Sequence, residues 1–333
     1  MKNLKKAFAF TLVLMLLIGI NVPAFAADAE GDTPPTDNPI NTDMTSITIR
    51  KDYKLIGAGS SPAETFTLEQ SGDGRVTDGD AQSAPALGAI TGAGFEEGAA
   101  ADPAASGTIT VTLPQYDSVG IYEYTLIEKA GTTAGVAYYG DAIKLVVTVI
   151  NGDDGKLRVA AIHTESEGAD KSDTFENTYS AGTLKISKTV TGNMGDKNKY
   201  FEFTVLLSGR SGMTYPETFA VSGGSYAQNP KTIKLSEETT FMLKHGDTIS
   251  IANLPYDVDY MVIETAADGY TTTSTNETGR ISAAEQTAAF TNVKNSAVDT
   301  GVMLDSLPYV LILAAVLGGA AAMVVRRRRG AED

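Results

Sequence analysis

From Ser46 onward the chain is a succession of short runs in which apolar and polar residues alternate, broken by Gly, Asn and Asp. Successive side chains on a strand point to opposite faces, so each run offers one face to a core and one to water. SITIR, ETFTLEQ, GTITVTL, YEYTLIE, AIKLVVTVI and LRVAAIHT form a first set, and NGDDGK (151–156) reads as the hairpin turn between the last two. After Tyr179 the pattern restarts with TLKIS, YFEFTVLLSG, TFAVSG, KTIKLS, TFMLK, DTISIANL, DYMVIET and AAFTNV. No amphipathic helix interrupts either set. Two sets of short strands with turn signals between them predict an all-β protein of two tandem β-sandwiches, over 46–180 and 181–295.

The chain ends place it outside the cell. Lys2, Lys5 and Lys6 lead into an apolar run from Ala7 to Ile20, and Ala24 and Ala26 flank Phe25. This is the pattern of a secretory signal peptide, residues 1–26, cut after Ala26. Residues 27–45 are polar with three prolines and read as a linker. At the other end, Leu307 to Val325 is an uncharged run of 19 residues. As a helix it is about 28 Å long, enough to span a bilayer core. Arg326 to Arg329 follow at once and mark the cytoplasmic side. Residues 296–333 are therefore expected to be a sorting signal ending in a transmembrane helix.

Between these ends, residues 27–300 hold 38 acidic residues (41 less Asp305, Glu332 and Asp333) and 19 basic ones (26 less three at the start and four at the end), a net charge of −19. That argues against nucleic acid or anionic lipid as partners. There is no cysteine, so any covalent staple must come from other chemistry. Residues 71–107 form a Gly/Ala/Asp-rich insert that reads as a solvated loop. Its SGDGRVTDGD lacks the spacing and closing glutamate of a calcium loop. The sequence points to no metal and no cofactor.

The face test exposes an anomaly. Ile47, Ile49 and Lys51 share a face, as do Leu184, Ile186 and Lys188. Glu128 shares one with Tyr124 and Leu126, and Glu264 with Tyr260 and Val262. Asn177 follows Phe175 on its face, and Asn292 follows Phe290. The order Lys, Glu, Asn thus occurs twice: Lys51 to Glu128 is 77 residues and Lys188 to Glu264 is 76, while Glu to Asn is 49 and then 28. A buried charge or amide is costly unless paired. The economical arrangement brings Lys, Glu and Asn together inside each sandwich. Near Lys51, Arg50 and Lys54 leave the choice of lysine open.

Chemistry follows from such a site. In a dry core an amine loses its proton more readily and a carboxyl keeps its own. The neutral amine attacks the side-chain amide, the acid relays protons, ammonia leaves, and lysine and asparagine are joined by an isopeptide bond. The reaction happens once per domain, without turnover. If the first and last strands of a domain lie side by side, pulling on the chain loads that bond.

ITIRK, GIYEYTLIE and FEN in the first half, with LKISKTVTG, VDYMVIE and FTN in the second, resemble the two domains of streptococcal-type backbone pilins with intramolecular isopeptide bonds. The resemblance covers roughly Ser46 to Asn295. It implies immunoglobulin-like (Cna-B-like) sandwiches. It implies Lys51 and Asn177 as bonded partners with Glu128 as catalytic acid, and Lys188 and Asn292 with Glu264.

The same resemblance implies a Gram-positive cell-wall or surface location and a sortase that cleaves before the membrane span. The usual LPxTG motif is absent, but Val298-Asp299-Thr300-Gly301 keeps the Thr-Gly, so cleavage is expected between Thr300 and Gly301. Thr300 is then joined to another pilin subunit or to peptidoglycan. Tyr215-Pro216 is followed by glutamate, which excludes the common YPK acceptor motif. Lys171, just ahead of Asn177, is the candidate intermolecular acceptor. With two histidines (His163 and His245) and no HExxH or GxSxG, a conventional enzyme is not expected. The alternative is a non-polymerising adhesin that displays a site for a host ligand on the same stalk.

Overall fold

A computed structural model of the protein describes residues 44–166, 171–297 and 307–329, and strands dominate them. The expected signal peptide, most of the linker and the Thr300–Gly301 cleavage point lie outside the described residues.

The strand Ser46–Gly57 shows why the first set folds as it does. Ile49, Lys51 and Tyr53 are buried while Thr48, Arg50 and Asp52 are not. One edge pairs antiparallel with Ala105–Thr112; the other pairs parallel with the start of Thr174–Thr191. A second sheet joins Leu157–Glu165, Ile143–Asn151, Gly120–Glu128 and Leu68–Gln70 in that order. Ile49, Ile109 and Val111 from the first sheet pack with Tyr122, Leu126, Leu145 and Val147 from the second in one core.

The insert at 71–107 differs from expectation. It is not a detached loop: it holds the strands Arg75–Gly79, Ile90–Thr91 and Ala93–Phe95. Ala93, Phe95 and Ala100 are buried in the first core, and the Phe95 ring meets Tyr53 at 5.3 Å and Phe66 at 5.6 Å. A few well-placed apolar side chains anchor a segment whose composition is mostly small and polar.

The second set has its own core. Leu184, Ile186 and Val190 face Phe203, Val205, Tyr260 and Val262. Thr183–Thr191 pairs antiparallel with Thr248–Pro255 and parallel with Glu285–Val293. The opposing sheet orders Thr239–Leu243, Phe201–Ser208, Asp259–Glu264 and Thr278–Arg280.

One strand serves both cores. Thr174–Thr191 runs unbroken for 18 residues, on the order of 60 Å of extended chain. The first half of this through-strand flanks the opening strand, Ser46–Gly57, and its second half flanks the closing strand, Glu285–Val293. Beside its middle, Asn253 (φ 58°) accepts from Ser60 N at 3.0 Å and from the Tyr179 hydroxyl at 3.3 Å, and donates to Ser60 O at 2.9 Å.

The stretch 307–325 is helical, within Leu307–Arg329. The apolar side chains described there, such as Leu311, Val316 and Met323, are exposed. Among the described residues no helix is long and apolar enough to cross a membrane.

Candidate functional site

Each strand set brings its lysine, glutamate and asparagine to one point. In the first, Lys51 projects from the opening strand, Asn177 from the neighbouring through-strand and Glu128 from the end of a strand in the opposing sheet. Lys51 Nζ lies 2.5 Å from Glu128 Oε2, and Asn177 Nδ2 donates to Glu128 Oε1 at 2.6 Å. In the second, Lys188 Nζ lies 2.7 and 2.6 Å from the two oxygens of Glu264, and Asn292 Nδ2 donates to Oε1 at 2.5 Å. Lys51 and Lys188 are each 1% exposed. The neighbouring candidates separate cleanly from Lys51, because Arg50 is exposed against Asp52 and Lys54 is only half-buried.

The surroundings are aromatic and dry. Lys51 Nζ is 5.5 Å from the Phe66 ring centre and 5.4 Å from that of Tyr139. Lys188 Nζ is 4.5 Å from Phe201 and 5.6 Å from Phe203. Burial is the main cause that pushes both lysines below the ordinary range of an amine; contact with the glutamate opposes the shift without reversing it. Both amines are thus biased toward the neutral, nucleophilic form.

One oxygen of each asparagine, Asn177 Oδ1 and Asn292 Oδ1, is buried without a hydrogen-bond partner. Such an orphan costs about 1–3 kcal/mol and calls for a reason. Glu128 Oε2 also lacks an aligned hydrogen bond, but the Lys51 ammonium at 2.5 Å supplies an ion pair off that axis. A half-turn of either amide exchanges Nδ2 and Oδ1 and presents the carbonyl oxygen to the carboxyl, where a proton held between them polarises the carbon for attack.

Lys171 is exposed, in a lone β-bridge with Glu165. His163 Nε2 is 3.0 Å from Glu165, and His245 Nδ1 accepts from Val190 N at 3.0 Å. Among the described residues no group of His, Cys, Asp and Glu is arranged to hold a metal ion. The face test missed Tyr139, whose backbone N–H donates to Glu128 Oε1 at 3.2 Å. A main-chain donor leaves no mark in a pattern of side chains.

Residues 47–180 match the Spy0128-like isopeptide containing domain, and residues 182–294 match a domain of unknown function, DUF7601. The chain is 27% identical over 225 residues to the "Pilin" of Streptococcus pyogenes serotype M1, a match covering 61% of this chain and 66% of that pilin. It is 32% identical over 130 residues to the "Pilus tip adhesin Cpa" of Streptococcus pyogenes, covering 37% of this chain and 18% of the adhesin. The crystal structure of the major pilin from Streptococcus pyogenes is similar with a TM-score of 0.52 at 21% identity, over 77% of this chain and 100% of that one. At that identity the structural likeness speaks for the fold. The Spy0128-like match and the pilin match support the resemblance to streptococcal backbone pilins drawn from the sequence.

Proposed function

We propose that this protein is a shaft or stalk subunit of a Gram-positive surface pilus, held together by two self-formed isopeptide bonds, Lys51–Asn177 and Lys188–Asn292. The observation that carries this reading is the twice-built buried cluster, with lysine and asparagine on adjacent parallel strands and a carboxyl bridging them. Neutral Nζ attacks Cγ of the asparagine and the Nζ–Cγ bond forms. The Cγ–Nδ2 bond breaks, and Glu128 or Glu264 carries a proton from the attacking nitrogen to the leaving one. One ammonia is lost per bond, and the protein undergoes no further turnover.

The bonds suit a load-bearing part. Lys171 lies three residues ahead of the through-strand, and Asn292 lies near the end of the closing strand. With Lys171 as acceptor and Thr300 as donor, tension enters the through-strand, crosses Lys188–Asn292 and leaves by the closing strand. The immunoglobulin-like sandwiches around this path are spared. We assign residues 1–26 to secretion, Thr300–Gly301 to sortase cleavage, and helix 307–325 with Arg326–Arg329 to membrane retention of the precursor.

The test is the intact mass of the secreted chain, which should fall short of the sequence mass by two ammonia. A full sequence mass overturns the reading. Sortase-linked ladders lost in Lys171→Arg support polymerisation, whereas a monomer that binds a host ligand supports the adhesin alternative.

A further inference from the structure

We infer that Tyr139 is a positioning residue for the first bond, and that the second domain holds it in place, so that Lys51–Asn177 forms only after residues 182–294 have folded. This rests on the isopeptide reading above. The two sites are not equivalent. Glu128 is held by a backbone donor, Tyr139 N–H to Oε1, on the same oxygen that meets Asn177. Among the described residues Glu264 has no backbone donor; it is held by Lys188 and Asn292 alone. The Tyr139 ring also closes the first site, 5.4 Å from Lys51 Nζ and edge-on to Phe175 at 5.1 Å.

Tyr139 belongs to no long strand. It follows the two-residue strand Val136–Ala137, which pairs with Tyr179 and Thr178 of the through-strand. Two residues cannot fix a segment by pairing alone: on the first-domain side the Tyr138 hydroxyl donates to Glu64 Oε2 at 3.1 Å and Val136 is buried in the first core, and on the other side the support comes from the second domain. Thr214 N donates to Thr132 O at 2.7 Å, Ala134 N donates to Thr214 O at 2.9 Å, and the two threonine hydroxyls lie 2.9 Å apart. Between these contacts and the strand, Gly135 (φ 81°) accepts from Ser180 N at 2.8 Å. A Cβ there would stand 2.8 Å from Ser180 O, so only glycine lets the segment lie this close. Thr214 sits between the strands Phe201–Ser208 and Phe219–Gly223, in a loop that exists only when the second core has formed. The second domain thus supplies one side of a clamp that carries Tyr139 onto Glu128.

The experiment uses the full-length chain made by cell-free synthesis, quenched at intervals, with each cross-linked peptide quantified by mass spectrometry. Tyr139→Phe keeps the N–H and the ring and should form bond one within twofold of the unaltered rate. Tyr139→Pro removes the N–H and should slow bond one at least tenfold while bond two is unchanged. Thr214→Pro, which removes the donor to Thr132, should slow bond one in the same way. Unaltered bond-one rates in folded Tyr139→Pro and Thr214→Pro chains overturn the proposal. If these variants do not fold, the order of events in the unaltered chain decides. Bond one appearing before residues 182–294 resist protease overturns the inference, and bond one appearing after supports it. Absence of both bonds from the unaltered chain overturns the isopeptide reading itself, and this inference with it.

Discussion

Lys188 lies opposite Phe290 in the parallel ladder, and Asn292 lies opposite Val190, so the two polar residues stand on one diagonal of a strand pair. The first domain repeats the offset: Lys51 is opposite Phe175 and Asn177 is opposite Tyr53. Residues two apart on a strand share a face, which is why both diagonals point into a core. The carboxyl that joins each pair arrives from the facing sheet, the only side open to it.

Glu264→Ala removes the shared carboxyl of the second cluster. The intact mass should rise by one ammonia relative to the unaltered chain, after allowing for the substitution, and the first bond should remain. Losing a closure of this length costs about 4–5 kcal/mol on the chain-entropy estimate used for disulfides. Thermal unfolding and proteolysis should show the second domain melting first. An unchanged ammonia deficit would remove Glu264 from the reaction.

In the first domain Lys51 is buried beside Glu128, whereas Arg50 and Lys54 are not. Lys51→Ala should abolish the first bond, whereas Arg50→Ala and Lys54→Ala should leave it intact, since neither side chain enters the core. Peptide mapping of the three variants settles the assignment.

The fold and both clusters were legible largely because they rest on a period of two. Lys51, Asn177, Lys188 and Asn292 all lie on the buried face of their strands, where the alternation put them. Other features depend on contacts without a sequence period. Ser180-Ala181-Gly182 read as a break, yet Ala181 is fully buried and the strand continues through it. Phe95 read as part of a polar insert, yet it is stacked in the first core. Tyr139 acts through its backbone, which every residue shares.

Lys188 also makes a pH prediction. In Asn292→Ala the lysine stays unbonded and buried, and burial holds it below the ordinary lysine value of 10.5. The unfolded chain then keeps the proton over a range in which the folded chain has released it. Where the unfolded state binds more protons, stability rises with pH. The variant should therefore gain stability relative to the unaltered chain as pH rises from the lowered value toward 10.5. Tyr53 and Tyr179, whose hydroxyls burial pushes up, oppose this in both proteins and cancel in the difference. Urea midpoints of both proteins across that window measure it; a constant difference would show that the lysine does not titrate there.

Pulling separates the roles of the two bonds. With tethers at Lys171 and Ser296, tension follows the through-strand to Lys188, crosses to Asn292 and exits. The 103 residues between Lys188 and Asn292 are excluded from extension. Asn292→Ala should release them in a force trace as a lengthening on the order of 350 Å, from about 3.3–3.6 Å per residue. Lys51→Ala should add nothing, because the opening strand lies off this path. Tethers at Met44 and Ser296 bring the first bond into line: tension then passes from the opening strand through Lys51–Asn177, and Lys51→Ala should now lengthen the trace. If Lys51→Ala lengthened the chain equally from both attachment points, tension would not be confined to the through-strand.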